Sequence, residues 1–269
     1  MKFTKMHGCG NDYIFFDNRK GTITSPGSLC VSLCDRHYGI GGYGIVLIED
    51  SRVADARMRI FNRDGTEGAM AGNAIRCVGK YLYDKGIVKK EYMTIETAGG
   101  IKSLLLYTRN GKANTISVGM GKADLDAMSL PTTLPGSTII NRPVEIAGGT
   151  YHITCASVGN PHCVVFCDDP SALDLETLGP KFERASYFPE RINEDTLRMR
   201  VYERGNGETV ACGTGACAAV IAATENGFVE KGKDITVKLV GGDLVVKYTD
   251  HEVILTGDAV LVYEGVVEY

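Results

Sequence analysis

The strongest constraint on the fold of this chain is that it nearly repeats itself. Asn62-Arg63-Asp64-Gly65-Thr66-Glu67-Gly68-Ala69-Met70-Ala71-Gly72-Asn73 lies over Glu203-Arg204-Gly205-Asn206-Gly207-Glu208-Thr209-Val210-Ala211-Cys212-Gly213-Thr214 at a constant offset of 141 residues. Arg63/Arg204, Glu67/Glu208 and Gly72/Gly213 are then identical, and the same offset carries Gly86 onto Gly227. One residue later in the alignment, Thr94 and Gly99-Gly100 fall on Thr236 and Gly241-Gly242. Upstream, Gly10-Asn11 ahead of Ile14-Phe15-Phe16 resembles Gly159-Asn160 ahead of Val164-Val165-Phe166. Self-similarity of this kind marks one structural unit used more than once, so the chain is expected to form two copies of one α/β unit.

Each copy contains one clear helix. Residues 73–85 place Ala74, Ile75, Val78, Tyr81 and Leu82 at 3–4 spacing before Gly86, and residues 215–226 place Ala216, Ala219, Val220 and Ala223 before Gly227. The second helix is apolar on nearly all sides, which predicts burial. Strands are expected at 45–48, 93–96, 102–107, 115–118, 164–167, 197–202, 235–239, 244–248 and 253–255, where apolar runs or alternation are bounded by Gly or Asp. The expected architecture is α/β (α+β), with two pseudo-symmetric domains, each a mostly antiparallel curved sheet or barrel wrapped around a central helix. Domain limits of 1–130 and 145–269 follow from a proline-interrupted linker at 128–143, and the last strand is free to cross back to the first domain.

Composition excludes several classes. Lys+Arg 29 against Asp+Glu 33 leaves a formal charge of -4 with no basic block, so no nucleic-acid partner is expected. No apolar run approaches the roughly 20 residues that span a bilayer, and the first residues lack the apolar stretch of a signal peptide, so no membrane partner and a cytoplasmic location are expected. Nine cysteines, an odd number at irregular spacing, read as thiols rather than a disulfide framework. Neither Cys30/Cys34 nor Cys163/Cys167 has a zinc spacing, and core thiols are the better reading. Gly39-Ile40-Gly41-Gly42-Tyr43-Gly44 matches G-x-G-x-x-G, yet a helical pattern precedes it and a strand follows, which reverses the dinucleotide context.

The residues equipped for chemistry gather at the two helix starts. Cys212 precedes Gly213-Thr214-Gly215 at the start of the apolar helix, where free backbone N–H groups and the helix dipole favour negative charge. Such a position lowers a thiol's pKa from about 8.5 and offers a socket for a carboxylate. Ala71-Gly72-Asn73 is the matching socket in the first copy. Two such starts facing one another would hold one α-carboxylate, and a thiol at each would take a proton from one face of the α-carbon and return one to the other. Only the second copy has its thiol.

Together with His7-Gly8-Cys9-Gly10-Asn11-Asp12-Tyr13, Gly72-Asn73-Ala74-Ile75-Arg76-Cys77 and Gly159-Asn160-Pro161-His162, these motifs make the sequence resemble the diaminopimelate epimerases. That family interconverts L,L- and meso-2,6-diaminoheptanedioate, without pyridoxal phosphate, in lysine biosynthesis. The resemblance covers nearly the whole chain. It implies an isomerase with no cofactor and no metal, a small amino-acid substrate, and a protein able to form a homodimer. By position, Cys212 matches one catalytic cysteine and Ala71 occupies the place of the other, while His162 and Glu203 match polar groups that help handle the proton. Asn11, Asn62, Asn160, Asn193, Glu203 and Arg204 match residues that hold the substrate's amino and carboxyl groups, chiefly at its distal end. Gly72, Asn73, Gly213 and Thr214 match the helix starts that bind the reacting carboxylate.

Three departures accompany the match. Ala71 removes one acid/base group, and Cys77, six residues along the helix, points to another side. Tyr43 stands where the family has Asp in a Gly-Ala-Asp-Gly turn, and after Asn193 the chain is shorter than in the family. Two other readings stand beside the epimerase: a racemase of another amino acid on the same scaffold, and a non-catalytic amino-acid-binding paralogue.

Overall fold

The computed structural model describes residues 1–182, 185–203 and 207–269, with backbone alone at 185–188. The chain divides into two compact units, Met1–Gly119 with Thr256–Tyr269, and Met120–Leu255. The first holds β1 (Lys2–Gly8), β2 (Asn11–Asp17), α1 (Pro26–Leu33), β3 (Gly44–Glu49), β4 (Ala56–Asn62), β5 (Glu67–Gly68), α2 (Gly72–Asp84), β6 (Tyr92–Thr97), β7 (Gly100–Arg109) and most of β8 (Lys112–Gly121). The second holds β9 (Arg142–Ile146), β10 (Gly149–Ser157), β11 (Pro161–Val165), α3 (Leu175–Leu178), β12 (Ala185–Asn193), β13 (Thr196–Glu203), β14 (Gly207–Thr209), α4 (Gly213–Glu225), β15 (Asp234–Leu239), β16 (Gly242–Tyr248) and the start of β17 (Val253–Asp258). The chain then re-enters the first unit and ends in β18 (Val260–Val266).

In the first unit β1 lies antiparallel to β2 on one side and to β18 on the other. β2 runs parallel to β3, β3 antiparallel to β4, β4 parallel to β6, and β6, β7 and β8 form an antiparallel meander. This curved ladder wraps α2, which packs on β1, β2 and β7. The helix comes closest at Gly79, where a Cβ would stand 2.7 Å from the Leu104 side chain. In the second unit β9, β10 and β11 are antiparallel, β11 is parallel to β12, β12 antiparallel to β13, β13 parallel to β15, and β15 antiparallel to β16. α4 packs on β10, β11, β13 and β16. Every residue from Gly213 to Ala223 is buried, and a helix of mostly Ala and Gly can be enclosed this closely because its side chains keep the surrounding strands near its axis.

The repeat at offset 141 holds at the level of register. Phe61 pairs with Glu67 across β4 and β5, and Tyr202 with Glu208 across β13 and β14. Arg59 Nε meets Glu67 Oε1 at 2.7 Å, and Arg200 Nε meets Glu208 Oε1 at 2.7 Å. α2 and α4 are both 13 residues long. Both end in a left-handed glycine, Gly86 at φ 68 and Gly227 at φ 74, with the next amide reaching back to Leu82 O (2.9 Å) and Ala223 O (2.8 Å). That double closure satisfies the last helical carbonyls in both units in the same way.

Two sequence expectations shift. The strand expected at 164–167 is β11, Pro161–Val165, because its ladder with β10 starts beside the Gly159 turn at the pair Ser157/Pro161. Cys167 has left that ladder, and its N–H donates to Pro189 O at 3.2 Å. The proline-interrupted stretch 128–143 carries core of the second unit: Leu130 and Ile139 are buried, and Ile139 O accepts from the Cys155 N–H at 2.9 Å. The other readings of this kind keep their geometry. Cys30 and Cys34 share a face of α1 and its end, with sulfurs 3.5 Å apart, and the glycines at 39–44 form a turn that feeds β3.

Candidate active site

Both helix starts are delivered by the same device. β4 and β5 in the first unit, and β13 and β14 in the second, form a hairpin whose second strand runs into an extended N-cap residue. Those N-caps are Ala71 at φ -138, ψ 122 and Cys212 at φ -126, ψ 113. Their carbonyls accept the first helical bonds from Ile75 and Ala216, each at 3.0 Å. The backbones match, and the side chains differ. Ala71 brings no capping atom, whereas the Cys212 sulfur accepts the Gly215 N–H at 3.4 Å and lies 3.5 Å from Thr214 Oγ1. Cys212 is 9% exposed, so the amide and hydroxyl dipoles act on its sulfur with little water to screen them.

Glu203 ends β13, and burial pushes its carboxyl above the ordinary glutamate range, a rise that the hydrogen bond donated by Thr209 Oγ1 only partly offsets. Such a carboxyl keeps its proton to a higher pH than an exposed glutamate does. His162, second in β11, is 3% exposed, and burial pushes its imidazole down to about 3. At neutral pH it is therefore an uncharged ring that burial keeps from taking up a proton.

This burial has a consequence for stability. The unfolded chain protonates His162 below about pH 6.5 while the folded chain does not, so the unfolded state binds more protons and stability falls as pH drops. Urea unfolding is expected to show a loss of about 1.4 kcal/mol per pH unit from this group, roughly 2 kcal/mol between pH 6.5 and 5. His162→Gln should flatten that slope by the same amount. An unchanged slope in the variant would show that the ring is protonated in the folded state.

The remaining sequence-derived residues fall into two groups. Asn11 is buried as the first residue of β2, and Asn73 is buried in the first turn of α2 with its Oδ1 accepting from Arg76 Nη2 at 2.9 Å. Gly72, Gly213 and Thr214 are the buried first residues of their helices. Next to Asn11, burial alone would raise the Asp12 carboxyl, but hydrogen bonds from Arg36 and Lys5 outweigh it and hold Asp12 below the usual aspartate range. Arg36 also stacks over the Tyr43 ring, 5.4 Å from its centroid. Asn62, Asn160 and Asn193 are exposed. Asn62 ends β4, with Nδ2 donating to Thr66 Oγ1 at 3.1 Å, and Asn160 precedes β11. Asn193 sits at the tight turn between β12 and β13, where its Oδ1 accepts the Asp195 N–H at 2.9 Å. Arg204 lies outside the described residues.

Two contributors were not read from the sequence, Thr209 beneath Glu203 and Arg76 beneath Asn73. Arg76 did leave a signal: a cation three residues after Asn73, the one charge in the run Gly72–Gly79 of a helix buried along that stretch.

Comparison with known proteins identifies the family and the fold. The family model for diaminopimelate epimerase matches residues 3–125 and 154–262. A diaminopimelate epimerase of Acetivibrio thermocellus is 46% identical over 100% of this chain and 99% of its own. One from Methanococcus maripaludis is 44% identical over 100% of both. Among solved structures, a hydroxyproline epimerase from Agrobacterium vitis superposes with TM-score 0.73 at 14% identity, covering 98% of this chain and 90% of its own. A PhzF-family protein from Bacillus anthracis superposes with TM-score 0.73 at 16% identity over 100% and 99%. At those identities the structural matches speak to fold alone, whereas the sequence matches span both helix starts and the strands that deliver them. This chain belongs to the diaminopimelate epimerase family of isomerases.

Proposed function

We propose that this chain binds diaminopimelate and acts on its α-carbon by cofactor-independent proton transfer, with Cys212 as the one thiol base it retains. The observation that carries the reading is the pair of matched N-caps, with equal backbone geometry, a polarised sulfur at Cys212 and a methyl at Ala71. Gly72 and Asn73, with Gly213 and Thr214, supply helix-start N–H groups for the reacting carboxylate. Asn11, Asn62, Asn160, Asn193 and Arg204 are assigned to the distal amino and carboxyl groups, and His162 and Glu203 to proton handling beside Cys212. Inversion needs an acid/base group on each face of the α-carbon, so with Ala71 in place this chain is impaired in net epimerisation.

Ala71 also favours a second reading, a paralogue that binds the amino acid and does not turn it over. Both predict binding. Calorimetric titration with L,L- and meso-diaminopimelate, lysine and histidine tests them together: heat with a diaminopimelate isomer and none with the others is expected. Binding of lysine or histidine in preference to either diaminopimelate isomer would replace the assignment with a racemase of another amino acid.

A cytoplasmic location and a homodimer complete the reading. In support, no helix among the described residues is long and apolar enough to cross a membrane, and β18 exposes Val262, Tyr263 and Val266, apolar side chains that a second copy would cover.

A further inference from the structure

Spacing in the sequence sets Cys163 with Cys167, but the partner the fold gives Cys163 is Cys155, directly opposite it where β10 and β11 pair antiparallel. The Cys155 N–H points away from β11 and donates to Ile139 O at 2.9 Å, so the two cysteines form a non-hydrogen-bonded rung of the ladder. At such a rung the Cα atoms stand about 4.5 Å apart with both side chains on one face, inside the range of roughly 4.4–6.8 Å that a disulfide spans. The two thiols are already hydrogen-bonded to one another. Both are half-buried, packed against the apolar cluster that holds Ile139, Ile153 and Val165. The rungs on either side, Thr154/Val164 and Ala156/His162, turn to the opposite, buried face. Cys30 and Cys34 also lie close together, but at 0% and 1% exposure they are closed to a solute.

We propose that Cys155 and Cys163 are a dithiol site that a hydroperoxide converts to a cross-strand disulfide. The hydrogen bond with Cys163 holds the Cys155 thiol below the usual cysteine range against the effect of burial, and the same bond, with burial, pushes Cys163 up. Cys155 is therefore the sulfur that attacks as thiolate, and Cys163 the thiol that resolves. With hydrogen peroxide, the Cys155 sulfur takes one oxygen as the O–O bond breaks, giving a sulfenic acid, and the other oxygen leaves as water with the Cys155 proton. The Cys163 sulfur then attacks the Cys155 sulfur, the S–O bond breaks, and the hydroxyl leaves as a second water with the Cys163 proton. Two thiols lose two electrons and the peroxide takes them. The new bond closes residues 155–163 into a ring that contains the Gly159 turn, Asn160 and His162, and it ties the strands at the third rung from that turn. The site goes beyond the epimerase reading and does not depend on it.

The test begins with the parent chain and needs no variant. Reduced protein is incubated with hydrogen peroxide at neutral pH, then unfolded in denaturant with iodoacetamide. The tryptic peptide of residues 123–181 carries Cys155, Cys163 and Cys167. By mass spectrometry it should have lost two hydrogens and taken up alkyl on Cys167 alone, and dithiothreitol before alkylation should restore uptake on all three. Alkylation of both Cys155 and Cys163 after peroxide, or a bond from either of them to Cys167, overturns the inference. The oxidised parent is expected to melt about 2–8 °C above Cys163→Ser treated alike, because the bond closes a rung already in place. A lower melting temperature would show that the bond distorts the ladder and would overturn the site as a native one. Cys163→Ser keeps a hydroxyl beside the Cys155 sulfur, so its reaction should stop at a Cys155 sulfenic acid. Dimedone should trap that acid at least tenfold more than it traps Cys163 in Cys155→Ser, and equal or reversed trapping overturns the order of attack.

Discussion

Replacing Ala71 by Cys is expected to raise the rate of diaminopimelate inversion by about 10²–10⁴-fold, the usual worth of a positioned acid/base group. The backbone at residue 71 already has the extended N-cap conformation of Cys212, so a thiol there leaves the chain in the direction its counterpart takes. Ala71 is also half-buried rather than enclosed, and a sulfur can be added without forcing the core apart. Chiral chromatography of each isomer incubated separately gives the rate. A folded Ala71→Cys chain that binds diaminopimelate and gains no inversion would establish the binding-paralogue reading. Fast inversion of both isomers by the unsubstituted chain would show that residue 71 does not occupy the second acid/base position.

The second large effect belongs to the thiol that remains. In D₂O, Cys212 as thiolate is expected to remove and return the α-proton on its own side, washing deuterium into one isomer while its configuration is kept. Cys212→Ser should reduce that exchange by about 10²–10⁴-fold or to background. Serine is the informative replacement because it retains an acceptor for the Gly215 N–H, so the α4 start survives while an acidic thiol is exchanged for a hydroxyl that does not ionise near neutral pH. Proton NMR at the α-position follows the exchange. Undiminished exchange in the Ser variant would remove Cys212 from the role of base.

The sequence made the helices legible because their signals are local: apolar spacing closed by Gly86 and Gly227, which the structure uses as left-handed C-terminal residues. The hairpins that feed them were not read from the sequence, although the repeat sets Glu67 and Glu208 at equivalent positions, each holding the arginine eight residues earlier. β9, β10 and β18 carried no comparable signal. β9 and β10 are short on fully buried residues, and β18 is apolar along a face left exposed, so neither alternation nor a polar side marks the strand. In the site, residues with reactive groups announced themselves, as Cys212 did. Arg76 and Thr209 act on other side chains, and a contact between positions distant in role but close in space leaves little trace in spacing alone.

The return of Thr256–Tyr269 to the first unit bears on how the chain matures on the ribosome. Met120–Leu255 is one contiguous stretch, so every partner it needs within its own unit has been synthesised once residue 255 has emerged. The first unit is in the opposite position. Residues up to Gly119 appear early, yet the Lys2↔Val266 pair of β1 and β18 joins residues separated by almost the whole chain. Closing so long a loop costs only modestly more than closing a short one, because the entropy grows with the logarithm of its length. The burden is temporal: until β18 is made, β1 lacks its partner on that side, and an open strand edge is a template for pairing with a neighbouring chain. β18, made after the second unit, is the strand that seals it.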